Sequence, residues 1–503
     1  MMFYQKFLQK ERRQLNVSAV VLIAVMAITW FSGLLLWEAS DGGLIPDDPQ
    51  TRRNLVSSLC RTGIALISTV FACLFLAIPL TANMYTPQLI SVFVRSWTNI
   101  LILCYFVSAG ATCLWTSRLD VSSDTCVPIL TLALLISFSS LVLLLPYLFS
   151  VFRFLSPRTI VARLHDTIID AMSPTKAKDV GARQEELGQR IRNLGNVILR
   201  AVERSDREVA LSAVEAICSS ARHYEKVKKD FGANWYEVSR DHFPGLSAAA
   251  IDAMAVEKNW VEREILLQLS RAYTSALAKI PDVISAISRS QRQFALTAAE
   301  NKDSGALSLT MKYFNNFLRE AIVKNDTHAV FDLVFQLRVM AERLWATSPE
   351  SVLELSRRLH YYANMAHAQN LAFARDLIAL DLGRVIGGIA AAEGPITELV
   401  SQWLLLDLGK EDDRVVLSPG IAKARLLTEA RLRAHGKDEI ADSVRDSLIA
   451  AQPLNWDPIA AELLDDPPEL FWEVTDRQEN LSYSVPEDRP AIKATLALLS
   501  AAQ

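Results

Sequence analysis

Apolar and polar residues segregate along this chain on the scale of whole segments. Four uncharged stretches, Val17–Trp37, Thr62–Val94, Ser96–Ser117 and Val127–Phe152, run 21, 33, 22 and 26 residues. As helices, each is long enough at 1.5 Å per residue to cross a hydrocarbon layer about 30 Å thick. After about residue 155 the pattern changes. Apolar residues recur three and four apart, as in "LGNVILRAVERSDREVALSAVEAICSSARHY", with few glycines and almost no strand-like alternation. The pattern predicts an all-α protein, with a four-helix transmembrane domain over residues 1–155 and a large cytoplasmic helical domain over 156–503.

The 33-residue run is too long for one untilted crossing, and Pro79 and Pro87 interrupt it, so a break is expected. An exit near Leu80 predicts spans at about 17–37, 62–80, 98–117 and 127–152. Thr86 then serves as N-cap, with Pro87 first in a short interfacial helix at about 87–96. In that helix apolar groups gather on one side and Arg95 can reach lipid phosphates. Trp37, Arg95 and Trp97 are the candidate interfacial anchors.

Lys6, Lys10, Arg12 and Arg13 precede the first run, and Arg153, Arg158 and Arg163 follow the last. Arg52, Arg53 and Arg118 lie in the two opposite loops. The positive-inside rule then puts both termini in the cytoplasm.

Inside the spans the candidate pore or hinge residues are Arg61, Pro79, Asn83 and Pro146. Pro79 and Pro146 each free a carbonyl, which makes either a packing kink or a gate hinge. Arg61, at the outer edge of the second span, either snorkels to the interface or marks a pore mouth. "SAGA" at Ser108–Ala111 lets helices approach closely. Ser137, Ser139 and Ser140 line a polar path or bond back to their own helix. No acidic residue lies in any span, which disfavours a carboxylate-coupled transporter.

Composition narrows the function classes. Residues 1–155 hold 10 Lys/Arg and 7 Asp/Glu, which leaves 42 and 49 for the remainder, a net of about -7. An acidic soluble part argues against nucleic acid as the partner. The six cysteines include no CxxC pair. Cys113 and Cys126 flank one short loop and are either a disulfide, if that face is oxidising, or two free thiols. No GxxxxGK[ST], GxGxxG after a strand, GxSxG or HExxH occurs. His360 and His367 share a helix face without further ligands, and "GKEDDR" and "LLDDPPE" read as exposed loops. No catalytic, cofactor-binding or metal constellation emerges.

In the helical region, Leu194–Ala221 matches Phe314–Ala341 at an offset of 120, each drawn as helix, "RSD" or "KND" turn, and helix. Such hairpins stacked in series would make a solenoid. The stretch "PLNWDPIAAELLDDPPELFWEVTDRQENLSYSVPEDRP" is expected to wrap over the helices in shorter pieces.

The segment "ALISTVFACLFLAIPLTANMYTPQLISVFVRSWTNILILCYFVSAGATCLW", with Tyr85-Thr86-Pro87 and Arg95, resembles an uncharacterised bacterial family of predicted membrane proteins, domain of unknown function 2254. Gln88 departs from the basic residue expected there. The resemblance covers about residues 15–175 and implies a bacterial inner-membrane location without a known activity. Two functions remain in view. One is a homo-oligomeric channel regulated by the helical domain; the other is a membrane-anchored scaffold or sensor that binds a cytoplasmic protein.

Overall fold

The computed structural model describes residues 48–84, 97–116, 126–154, 156–173, 179–390, 396–471 and 477–502, with Phe31 and Arg118 besides. The chain divides into two compact units, Met1–Asp166 and Thr167–Gln503.

Three long helices are described in the first unit: α1 (Pro49–Met84), α2 (Trp97–Thr116) and α3 (Val127–Phe154). Each holds a stretch long and apolar enough to cross a membrane, at Pro49–Leu76, Asn99–Thr116 and Val127–Phe149. Helices α2 and α3 match the predicted third and fourth spans closely. The first predicted span, 17–37 with Trp37, lies outside the described residues except for Phe31, as do the interfacial helix 87–96 and Arg95.

Helix α1 corrects the second span at both ends. It begins at Pro49, where the Asp48 carboxylate accepts the Thr51 backbone N–H at 2.9 Å and its hydroxyl at 2.6 Å. This is an N-cap followed by proline in the first turn. At the other end the helix runs through Pro79 to Met84, so the expected break near Leu80 does not occur there. Proline's fixed φ is itself helical, and neighbouring groups can re-satisfy the carbonyl it frees. At about 54 Å, the 36-residue helix is longer than the hydrocarbon layer.

Val70 and Leu74 of α1, Phe106 of α2, and Leu143, Tyr147 and Val151 of α3 form one buried apolar cluster; Val56, Cys126 and Leu130 form another. The expected close approach occurs at Gly110 of "SAGA". A Cβ there would stand 2.1 Å from Ile67 Cδ1 of α1, and one at Gly63 would stand 3.2 Å from Cys113 Sγ.

Helix α4 (Pro157–Ala171) leads into the second unit, which is nearly all helical. Four helix hairpins follow: α5 (Val180–Glu203) with α6 (Arg207–Val227), α8 (Trp260–Ala276) with α9 (Pro281–Glu300), α10 (Ser304–Val323) with α11 (Thr327–Leu344), and α12 (Pro349–Ala368) with α13 (Ala372–Ile389). The short α7 (Ala248–Glu257) precedes the second hairpin. First helices pack in series, α5 on α8, α8 on α10 and α10 on α12, and second helices do the same, α6 on α9, α9 on α11 and α11 on α13. Helices α14 (Ile396–Trp403) and α15 (Pro419–Ala434) extend the two layers. The result is a two-layered stack, the arrangement of an α-solenoid.

The turns explain how the sequence makes this stack. Ser205, Lys302 and Asn325 all adopt left-handed backbone, with φ of 57°, 57° and 54°. Asp206, Asp303 and Asp326 follow them and accept the backbone N–H of Val209, Ala306 and Ala329. Their own N–H groups return to the carbonyls of Ala201, Ala298 and Ala321 at 2.8, 2.8 and 3.0 Å. A left-handed residue closes one helix and an aspartate opens the next. The two segments related by the 120-residue offset fall on α5–α6 and α10–α11, each a helix, a turn and a helix as expected.

Beyond α15 come α16 (Asp438–Ile449), α17 (Trp456–Leu464) and α18 (Arg489–Ala502); a two-residue strand pair, Lys410–Glu411 with Arg414–Val415, precedes α15. Between α17 and α18 the chain crosses the second helix layer as a strap. Arg477 lies bidentate on Asp381 of α13, at 2.5 and 2.8 Å, with its guanidinium 4.5 Å from the Phe331 ring of α11. Glu479 is held by Arg338 and Arg384.

Candidate functional site

Two of the candidate membrane residues, Arg61 and Asn83, lie far apart on one helix. Arg61 is exposed on α1, while Asn83 lies 22 residues further along the same helix, about 33 Å away on its axis. Pro79 also lies in α1, Trp97 opens α2, and Pro146 is half-buried within α3, which continues to Phe154. Cys113 and Cys126 are both buried.

Several polar groups between these helices are bonded within the bundle, although the buried Tyr147 hydroxyl has no partner among the described residues. Cys60 Sγ donates to the Cys113 carbonyl at 2.7 Å, Cys113 Sγ lies 3.0 Å from Ser137 Oγ, and Tyr105 and Ser139 share a 2.5 Å hydroxyl pair. Ser139 and Ser140 also donate to the carbonyls of Ile136 and Ser137, the back-bonded alternative for these serines.

The densest group of chemical side chains lies in the second unit. Glu225 ends α6, Glu262 stands in the first turn of α8 and Asp303 caps α10, and one carboxylate oxygen from each lies within 4.8 Å of the others. The Lys228 ammonium donates to Glu262 and, at 2.5 Å, to Asp303. Tyr236 donates its hydroxyl to the Lys228 carbonyl at 2.6 Å, and Trp260 donates to the Trp235 carbonyl at 2.8 Å, which fixes the loop carrying the lysine.

Two buried carboxylates, Glu225 and Glu262, and the half-buried Asp303 face one ammonium, so the group lacks positive charge. Burial pushes Glu262 up to about 8, and the Glu225 charge beside it acts the same way. Burial raises Glu225 too. Burial alone would lower Lys228, but Glu262 and Asp303 hold it above its ordinary range. The lysine therefore stays charged, and near neutral pH a proton is retained on the Glu225–Glu262 pair. These oxygens are the ones a hard cation would use, but the ammonium already sits among them and serves as their counter-ion. Glu225, Lys228 and Asp303 also line a surface groove of about 620 Å³.

The apolar helices of the first unit raise the question of kinship. Residues 12–208 match the family described as predicted membrane protein (DUF2254). This DUF2254 match takes in the three described apolar helices, α4, α5 and the turn that opens α6. It is the family the sequence resembles, and with the apolar helices it marks a membrane protein. No curated protein and no solved structure matches the chain.

Sequence reasoning missed the carboxylate–lysine group. Its members come from "HYEKVKKD", "WVERE" and "NKDSG", segments that share no local motif. Only the stacking of α6, α8 and α10 brings them together.

Proposed function

We propose that this protein is a membrane-anchored scaffold whose helical array docks a cytoplasmic protein partner, with the apolar helices as anchor. The observation that carries the reading is the stack of hairpins α5 to α13. Such a stack presents a long continuous surface built from successive equivalent helices, and surfaces of this kind suit segments of other proteins. The internal bonding of Cys60, Tyr105, Ser137 and Ser139 supports an anchoring role for the described apolar helices. The charge distribution around the uncharged runs supports a bacterial inner membrane with both termini in the cytoplasm.

Photo-crosslinking residues placed along the exposed faces of α6, α10 and α12 in the membrane-bound protein test this. The reading expects discrete adducts with one defined protein. Absence of adducts along the whole array, combined with ion conductance by the purified protein in planar bilayers, would favour the competing reading. In that case several copies form a pore near Arg61, Pro79, Asn83 and Pro146.

A further inference from the structure

Helix α10 carries a polar stripe. Lys312, Asn315, Asn316 and Arg319 stand at i, i+3, i+4 and i+7 and so share one face. Together with Arg358 and Tyr361 of α12, the next helix in the same layer, they line a surface groove of about 440 Å³. Lys312, Asn316 and Arg319 are exposed, Asn315 is half-buried, and the Tyr361 ring is 55 % exposed.

Among the described residues, Lys312, Asn315, Asn316 and Arg319 make no hydrogen bond or ion pair with the chain. Arg358 is held at 2.7 Å by Glu354 of its own helix. No carboxylate lines the groove. Residues 156–503 carry a net charge of about -7, so the groove is a basic patch on a stretch of chain that is acidic overall.

The chemistry of the stripe selects its ligand. Adjacent asparagines are poor choices for a helix interior, because their carboxamides compete for backbone groups. Here neither carboxamide is used inside the chain. A carboxamide offers donors and acceptors together, which match the alternating C=O and N–H of an extended peptide; an inorganic anion needs donors only. Lys312 and Arg319 lie about 10.5 Å apart along the helix axis, the reach of about three extended residues. Tyr361 adds an exposed ring beside them.

We infer that the α10–α12 groove docks an acidic segment of the partner protein in extended form. Asn315 and Asn316 bond its backbone, and Lys312 and Arg319 pair with its carboxylates. The inference rests on the docking reading above and gives it a place and a ligand chemistry.

The test uses the full chain in phosphatidylcholine nanodiscs and a fluorescein-labelled peptide of alternating Glu and Leu with one Tyr, followed by fluorescence anisotropy. Saturable binding that weakens with added salt is expected. A K312E/R319E double variant should bind at least tenfold more weakly. N315A/N316A, which favours the helix, should lose several-fold in affinity, and K279E, on an exposed turn outside the groove, should bind as wild type. Equal binding of the double variant, equal binding of the matching Lys–Leu peptide, or displacement of the peptide by phosphatidylglycerol vesicles would each overturn the inference. The docking reading fails separately. Crosslinks from α6 with none from position 316 would overturn the groove and leave the scaffold standing.

Discussion

Asp326 Oδ2 accepts the backbone N–H of Ala278 at 2.8 Å, while its Oδ1 accepts that of Ala329 at 3.0 Å. One carboxylate caps its own helix and ties down the turn of the preceding hairpin. Losing a cap costs about 1 kcal/mol, and losing the solvent-exposed hydrogen bond to Ala278 adds up to about 1 kcal/mol. Asp326→Ala is therefore expected to cost up to about 2 kcal/mol in urea denaturation. Asp206→Ala, whose carboxylate caps α6 through Val209, should cost about half as much.

The Glu262 carboxyl makes stability depend on pH. Its value in the fold, about 8, lies above its ordinary 4.5, so its contribution is fully present below 4.5 and is lost as pH rises through 8. Thermal melts of the purified protein from pH 5 to 9 should show this decline. Glu262→Gln should flatten it, because the amide does not titrate. Lys228→Met should be far worse, by about 3–5 kcal/mol, since it leaves buried carboxylates without their counter-ion.

Close helix contacts predict which glycines resist change. A Cβ at Gly195 of α5 would stand 2.7 Å from Gln268 Cβ of α8, an atom close to the backbone that cannot swing aside. Gly195→Ala should cost about 1–3 kcal/mol as the helices part. Gly110→Ala in α2 clashes with the terminal methyl of Ile67 and meets its Cγ1 at an ordinary 3.5 Å, so Ile67→Val should rescue it. Gly181→Ala meets nothing nearer than 3.6 Å and should be tolerated. Chemical denaturation ranks all three.

The strap should detach before the array unfolds. Arg477 and Asp381 are 1 % and 3 % exposed in their side chains, and removing one charge strands the other. Asp381→Asn should speed limited proteolysis between Asp466 and Asp488 at least tenfold, with the helical circular dichroism signal nearly unchanged. Unchanged cleavage would show that the pair does not hold the strap.

How far each feature could be read in advance follows from the range of the interactions behind it. Spans α2 and α3 are written locally, as uninterrupted apolar runs, and their observed limits follow the pattern. Helix α1 departs from its pattern because a proline whose freed carbonyl is re-satisfied by neighbouring groups does not end a helix, and because the Asp48 cap puts Arg52 and Arg53 in the first turns of the helix and not in a loop. The "RSD" and "KND" turns were visible because three adjacent residues set them. The Glu225–Lys228–Glu262–Asp303 group joins residues up to 78 positions apart and has no local signature. The α10 stripe is a local pattern, but its meaning depends on α12 standing beside it.

The stacked hairpins have a mechanical consequence. In α5 to α13 each pair packs mainly on the pairs before and after it, so rotation at any joint is small while rotations along the series add. A small change of angle at one joint, such as that between α10 and α12, is therefore carried to the far ends of the stack.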